Sequence, residues 1–566
     1  MMRGFRPARV VALAMFMLGA LATPSFALEG PPAQVGQWGP VLNWGVQGKH
    51  MVLLHTGKVL VWSKGDQARV WNPTTGDFQL TPAPFGDTHC AAQVTLADGR
   101  VLVVGGQNNA THIGINVTSI FDPLTQTWSR GADMAKARWY PTLTTMADGR
   151  ALVVSGDDGT GARVDLAEIY DPATDTWSPT TPKATGLYPF MYQLPDGRMF
   201  EAGTKTSTSF YDVKTAKWSA GPTAPFGSSA YSESGAMYEP GKILRAGGGD
   251  PAMARTQVID MNAASPAWQE TSPMAFPRRR MNTPILLDGS VMAVGGTRQS
   301  DDASQAVLQG EIWSPGTKQW SQVASMAEPR MYHSTALTLP DGRVVTAGGE
   351  ADGILRAQVY SPPYLVKGPR PAITSNPSST GYGASFSVAT DATDIAKVAL
   401  LRPSGVTHAI DMNQRYVPMS FTKSGTTLNV TAPASANHAP PGWYMLVVTN
   451  SQGIPSVAKW IRVGSGGGTP PPPPPPGDAP TAAFSATPLT GTAPLKVDFS
   501  DASTGSPTGW QWDFQNDGTV DSTAQNPSFT YTAPGTYAVK LTARNGVGSD
   551  EELRLCLLYT SDAADD

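Results

Sequence analysis

PRMYHSTALTLPDGRVVTAGGE, residues 329–350, is the stretch on which the reading of the whole chain turns. Its Asp341-Gly342 pair is a turn signal. A short apolar run, Val344 to Ala347, follows and ends in a glycine pair, Gly348 and Gly349. Turn, run and glycine pair recur along the chain, whereas the adjacent Tyr332 and His333 do not. Residues that do not repeat, carried on an element that does, are where a site is to be sought.

The unit recurs seven times. Turn glycines fall at Gly57, Gly99, Gly149, Gly197, Gly241, Gly289 and Gly342, between 42 and 53 residues apart. Most are followed by an apolar run and glycine, as in VLVVGG (101–106), ALVVSG (151–156), ILRAGGG (243–249) and VMAVGG (291–296). A second signal lies further on: FDPLTQTW (121–128), YDPATDTW (170–177), YDVKTAKW (211–218) and WSPGTKQW (313–320). A period of roughly 40–50 residues with short strands predicts propeller blades, and the double glycine with a distant Trp matches kelch repeats. One blade cannot bury both faces of its sheet, and closing the ring does so. Residues 28–368 are therefore expected to form a seven-bladed kelch β-propeller with the Trp residues between blades.

Composition agrees with an all-β chain. Glycine (58) and proline (50) are abundant and charge is low at 15%. The length of 566 residues suits about three or four domains. A net charge of -4 argues against a nucleic-acid partner. Arg3, Arg6 and Arg9, the apolar run Val10 to Ala22 and the small-x-small pattern Ser25-Phe26-Ala27 read as a signal peptide, residues 1–27, cut after Ala27. No later stretch is long and apolar enough for a transmembrane segment, so a secreted or periplasmic protein is expected.

After the repeats, residues 369–463 carry alternating runs such as KVALL (397–401) and WYMLVVT (443–449), which predict an Ig-like β-sandwich. GSGGGTPPPPPPPG, residues 464–477, is a glycine-proline linker. Residues 478–550 contain WQWDFQNDG and NPSFTYTAPGTYAVKLTARN and resemble a PKD domain, also a β-sandwich. That resemblance implies a spacer or a polysaccharide or cell-surface contact unit. The tail LCLLYTSDAADD (555–566) is expected to break the module's final strand, so residues 551–566 are set aside as aberrant.

The repeat serves as a ruler. Eight residues before the residue preceding each turn glycine lie Gly48, Cys90, Tyr140, Tyr188, Ser232, Arg280 and His333. Equivalent positions in successive blades ring the axis, so Cys90, Tyr140 and His333, with Tyr332 beside the last, are expected to converge at one mouth of the channel. Each has a plain alternative, a buried thiol, an inter-blade aromatic or a hydrogen-bonding imidazole. Their coincidence on one repeat position points to a ligand set. Phenols and imidazole without a carboxylate cluster suit Cu(II). The chain has seven histidines, and periodicity does not choose a second ligand among them.

From Leu28 to Val463 the chain resembles the kelch-propeller copper radical oxidases, the galactose oxidase and glyoxal oxidase family. The resemblance rests on DTHC (87–90), ARWYPT (137–142), RMYHS (330–334), VTHAIDMNQRYVP (406–418) and the closing strands at 439–463. It implies a single copper ion held by Tyr140, Tyr332, His333 and His408. It also implies a self-made cofactor, a Tyr140–Cys90 thioether that stores a radical, with Tyr332 accepting the substrate hydroxyl proton. In galactose oxidases a tryptophan stacks over the cross-link, 18 residues after the tyrosine, and that position here is Asp158. Galactose oxidases also have an orienting arginine in the loop before the fifth blade, and residues 225–234 contain none. Arg280, on the ruler, is then a candidate for orienting substrate, as Asp158 is for lining the site. The resemblance implies oxidation of small aldehydes, as hydrates, or primary alcohols by dioxygen, with hydrogen peroxide as product. The competing expectation is a non-catalytic kelch and Ig-like protein of the cell surface, or one that binds glycans.

Overall fold

The computed structural model describes residues 30–464 apart from 109–112, 229–231 and 350–353, and residues 480–556 apart from 506, 508 and 546–548. The expected signal peptide, most of the linker and the last ten residues of the tail lie outside the described residues.

Seven sheets follow one another along residues 37–361 as the blades of a propeller. In the second blade, Ala92–Thr95, Val101–Val104, Thr118–Asp122 and Thr127–Arg130 pair in chain order. The Asp98-Gly99 turn joins the first two of these strands, so the recurring turn lies between strands one and two. First strands of the second and third, third and fourth, and seventh and first blades touch each other, as the inner lining of a ring does. The sixth blade has a three-stranded sheet, and its inner edge survives as single bridges at Asn282–Val294 and Ile285–Val291. The ring closes at the seventh blade, where Arg356–Ser361 pairs with Gln37–Trp38 and Leu42–Asn43 from the other end of the domain.

Contact between blades explains the glycine pair. A Cβ on Gly348 would stand 2.5 Å from the carbonyl oxygens of both Gly48 and His333, and Gly348 has φ of +70°. Gly106 N–H donates to Arg138 O and Gly296 N–H to Arg330 O, so the glycines also tie one blade to the segment that opens the next. Aromatic side chains fill the spaces between blades, with Trp62 and Trp313 wholly buried.

The sandwich, residues 370–463, packs a four-stranded sheet against a five-stranded one around Val388, Leu400, Leu428 and Leu446. It is not a loose neighbour of the propeller. Ala399, Leu401, Tyr416 and Met445 share one apolar core with Leu244, Leu287, Leu337 and Val345 of the blades. Buried Arg402 donates to Thr95 O and to Pro440 O, so one guanidinium holds both domains. Removing such area from water stabilises by about 25 cal/mol per Å².

The PKD module is two three-stranded sheets over Phe484, Phe499, Trp512 and Phe514. Its final strand, Ser549–Cys556, pairs along the length of Tyr537–Arg544. The strand expected to break where the tail begins at residue 555 runs to Cys556, and residues 551–556, set aside as aberrant, belong to it as an edge strand. No helix among the described residues is long and apolar enough to cross a membrane.

Candidate metal centre

Ruler residues share an unusual backbone. Cys90, Tyr140, Tyr188, Arg280 and His333 all have positive φ, between 46° and 62°. This left-handed conformation is uncommon outside glycine and asparagine. Here it ends the loop from the previous blade and turns the chain into the inner strand. Tyr140 N–H donates to Cys90 O and Tyr188 N–H to Tyr140 O, both at 3.2 Å, so the positions are also bonded blade to blade. The segment before Tyr140 is anchored by buried Arg138, which reaches Ser155 O at 2.7 Å and Glu168 at 2.8 Å.

The second imidazole arrives from the sandwich. Gly405–Thr407 pairs antiparallel with His50–Leu53, the inner strand of the first blade, and Ile410–Asp411 completes a hairpin. His408 and Ala409 form its two-residue turn with φ of 51° and 65°, the pattern of a type I′ hairpin. The Asp411 carboxylate accepts from the backbone N–H of Asn413 (2.9 Å) and Gln414 (3.0 Å), which pins the hairpin. His408 is thereby placed among the ruler residues of the blades.

The side chains meet closely. Cys90 Sγ lies 3.3 Å from His408 Nε2 and 3.6 Å from His333 Nε2. The phenol oxygens of Tyr140 and Tyr332 are 2.5 Å apart. The His333 and His408 rings stand 4.3 Å apart at 81°, and Tyr332 stacks on His333 at 3.9 Å. The Thr407 hydroxyl donates to Lys49 O at 3.2 Å and so accepts from His408 Nδ1 at 2.6 Å. That leaves Nε2 as the lone-pair nitrogen facing the cluster.

Electrostatics favour neutral groups. Burial pushes the Cys90 thiol up to about 12, and it pushes the Tyr140 phenol far above the ordinary range. Burial, reinforced by His333, His50 and His89, holds His408 well below the usual imidazole value. Protons leave such phenols and thiols readily only when a cation replaces them. Two phenols and two imidazoles, beside the Cys90 thiol and with no carboxylate among them, form a nitrogen-and-oxygen donor set that fits copper.

Residues outside the expected set also border the cluster. Trp139 packs against Tyr140 with ring centroids 4.5 Å apart. Asp158 lies elsewhere in function: its carboxylate accepts from Thr160 N and Oγ1, both at 2.7 Å, and caps its own exposed loop. The expected lining role of Asp158 finds no support in that geometry, and the aromatic cover over Tyr140 comes from the residue before it. Tyr188, on the ruler but given no role, sets its ring 4.9 Å from His408 and donates to Ala91 O. The Arg280 guanidinium lies 4.1 Å above the Tyr332 ring and forms an ion pair with Asp301. The signal that sequence reasoning passed over was an aromatic neighbour, or an aromatic occupant, of a ruler position.

Residues 370–463 match the family described as galactose oxidase-like, early set domain. Residues 477–555 match the PKD domain and residues 89–135 the kelch motif. A galactose oxidase of Gibberella zeae is 30% identical over 495 residues, covering 76% of this chain and 71% of that protein. Aldehyde oxidase GLOX1 of Arabidopsis thaliana is 25% identical over 455 residues, covering 69% of this chain and 73% of that one. Among solved structures, a fungal alcohol oxidase of the AA5 family in complex with copper is similar in fold, with a TM-score of 0.69 at 24% identity over 76% of this chain and 100% of the other.

Proposed function

Because the chain belongs to the galactose oxidase family, we propose that it is a copper radical oxidase that turns small aldehydes, as their hydrates, or primary alcohols over to the next oxidation level with dioxygen, releasing hydrogen peroxide. The reading is carried by one observation: Cys90, Tyr140, Tyr332, His333 and His408 converge from three blades and a second domain. The non-catalytic alternative explains neither that convergence nor the family.

In this reading Tyr140, Tyr332, His333 and His408 hold one copper ion. A copper ion bound there would supply a one-electron acceptor for the substrate and a route for electrons to dioxygen. Cys90 bonds through sulfur to the Tyr140 ring as a thioether, a step in which two hydrogens leave the chain and dioxygen takes up the two electrons. Sulfur on the ring makes Tyr140 easier to oxidise, so Tyr140 stores a radical. Tyr332 accepts the substrate hydroxyl proton, and Tyr140 then takes a hydrogen atom from the substrate carbon. Trp139, against Tyr140, excludes water from the radical. Arg280, held over Tyr332 by Asp301, orients a substrate oxygen through its fixed fork of donors.

The test is chemical. Protein purified without copper is exposed to copper and air, and its intact mass is followed. The expected result is the loss of two hydrogens in the wild type and none in Cys90→Ser. A Cys90 that stays freely alkylatable after copper loading sinks the reading. Peroxide release from methylglyoxal, glycolaldehyde, glycerol and galactose then sorts the substrate class. The same proposal has the chain exported, secreted or periplasmic, with the PKD module touching a polysaccharide or cell surface. Retention of the full chain on insoluble polysaccharide, lost when residues 480–556 are removed, tests the module.

A further inference from the structure

At the end of the inner strands away from the metal centre, the fifth and sixth blades and the sandwich leave a cleft between them. It consists of two adjoining cavities of about 440 Å³ each, which share Tyr238, Glu239, Pro315 and Gly316. Sites for small ligands run from roughly 300 to 1,000 Å³. Tyr238 stands near the close of the strand Glu233–Glu239, whose other end adjoins the ruler residue Ser232. Ser232 and Tyr238 are six residues apart in the sequence, about 20 Å at about 3.4 Å per residue.

Two phenols shape the cleft. Tyr238 and Tyr416 are only 5% and 6% exposed, and among the described residues neither hydroxyl has a hydrogen-bond partner. A buried polar group left unpaired is uncommon and costly. Each ring is held by its own packing. A bulge between the pairs Met237–Ile243 and Glu239–Lys242 leaves Tyr238 out of the ladder, with its ring against Trp313, centroids 4.9 Å apart at 67°. Tyr416 lies on the sandwich's edge strand, Arg415–Met419, and its ring occupies the space that a Cβ on Gly289 would enter, 2.9 Å away. Burial, with Glu239 and Asp260 beside it, pushes the Tyr238 phenol above its ordinary range, and burial with Asp288 and Glu239 does the same to Tyr416. Both stay protonated and can donate.

The charges of the cleft balance. Glu239, Asp260 and Asp288 stand against Lys242, Lys318 and Lys397, and Lys242 donates to Glu239 at 2.7 Å. An ion of either sign meets no matching excess there. The lining offers acceptors on its carboxylates, donors on its phenols and ammonium groups, and apolar surface on Pro315, Pro418 and Phe421. Hydroxyl groups that donate and accept, carried on a ring with apolar C–H faces, complement all three. We propose that this cleft is a second binding site, which takes a short stretch of a neutral oligosaccharide, with Tyr238 and Tyr416 donating to its oxygens. None of the cleft's residues belongs to the metal centre, so the proposal does not depend on the oxidase reading. A glycan bound there leaves the mouth at the other end of the blades open.

The test is calorimetric titration of the full-length protein with cellohexaose, laminarihexaose, mannohexaose and xylohexaose, and with hexagalacturonate and the chitosan hexamer as charged counterparts. Wild type is compared with the double variant Tyr238→Phe/Tyr416→Phe, which removes only the two hydroxyls, and with Gly316→Trp, which fills the cleft. A side chain at Gly316 is tolerated, since a Cβ there meets nothing nearer than 3.9 Å. Circular dichroism verifies that each variant is folded, and Gly316→Trp, on an exposed turn, decides the matter if the double variant is not. The expected result is that at least one neutral hexaose binds wild type, that the double variant binds it roughly tenfold more weakly, and that Gly316→Trp does not bind it. Peroxide release from glycolaldehyde is expected to stay within about twofold of wild type in both variants, as suits residues about 20 Å from the ruler end of their strand. Failure of every neutral hexaose to bind wild type overturns the proposal, as does unchanged affinity in Gly316→Trp. Tighter binding of either charged hexamer overturns the neutral class. The oxidase reading fails separately, on intact mass and peroxide, whereas the cleft is judged on binding heat alone.

Discussion

His333 and His408 stand with their rings 4.3 Å apart, yet they reach that place by different routes. His333 sits on the repeating position of the seventh blade, with φ of 61° like Cys90 at 58° and Tyr140 at 62°. His408 sits on a hairpin from another domain, at a turn whose second residue, Ala409, is also left-handed. A ring of equivalent positions can offer side chains only from its rim. Whatever approaches along the axis must come from outside the repeat, and here the sandwich supplies it. The scaffold and the guest hairpin thus solve complementary halves of one geometric problem.

The strongest way to break this comparison is to remove each imidazole. His333→Ala and His408→Ala are each expected to lower peroxide formation by roughly 10³-fold or more, and the double variant to be no worse than the poorer single one. Losses that add in the double variant would mean that the two histidines do not act as one unit. Stability separates rim from guest next. Gly348→Ala, whose Cβ would meet two carbonyl oxygens at 2.5 Å, is expected to cost about 2–4 kcal/mol in urea unfolding. Ala409→Gly, at the hairpin turn, should stay within about 1 kcal/mol of wild type, because glycine accepts positive φ.

A finer cut concerns how the guest imidazole is aimed. Thr407→Val removes the hydroxyl 2.6 Å from His408 Nδ1 and is expected to weaken copper affinity by about tenfold with the fold intact. Equilibrium dialysis reads that change. The smallest effect lies where the two domains touch. His55 of the first blade stacks on Trp443 of the sandwich, 4.8 Å apart at 7°. Burial holds its imidazole below the ordinary value of 6.5. A depressed imidazole means that below 6.5 the unfolded chain takes up a proton before the folded one does. Its share of stability is thus present above that pH and lost as pH falls through it. Thermal unfolding against pH should show a shallower acid-side fall in His55→Phe than in wild type.

Much of the rim was legible in the sequence, because the Asp-Gly turn and the glycine pair answer steric demands that each blade meets alike. Register alone then aligned Cys90, Tyr140 and His333. Tyr188 was on the same register, but no second signal beside it assigned it a role. Trp139 and His89 each lie one residue off the register, on the same side of it as Tyr332. The hairpin was legible only through family resemblance. Its turn residues are His408 and Ala409, not the Asn-Gly pair by which a type I′ turn announces itself, and a non-repeating domain offers no ruler. Asp158 misled because it occupies the spacing of the tryptophan in galactose oxidases, while the ring that covers Tyr140 comes from a neighbouring residue instead.

The pairing of His50–Leu53 with Gly405–Thr407 joins the first blade to a strand made more than three hundred residues later. Loop closure over such a span adds little to the equilibrium cost, since each doubling adds only about 0.6 kcal/mol, but it delays the contact until both partners exist. Nascent chain that ends before residue 405 has the thiol, both phenols and His333, and no His408. Synthesis order therefore acts as a clock. The proposed ligand set is completed only after all seven blades have been made, so chemistry that needs His408 has to wait for the second domain.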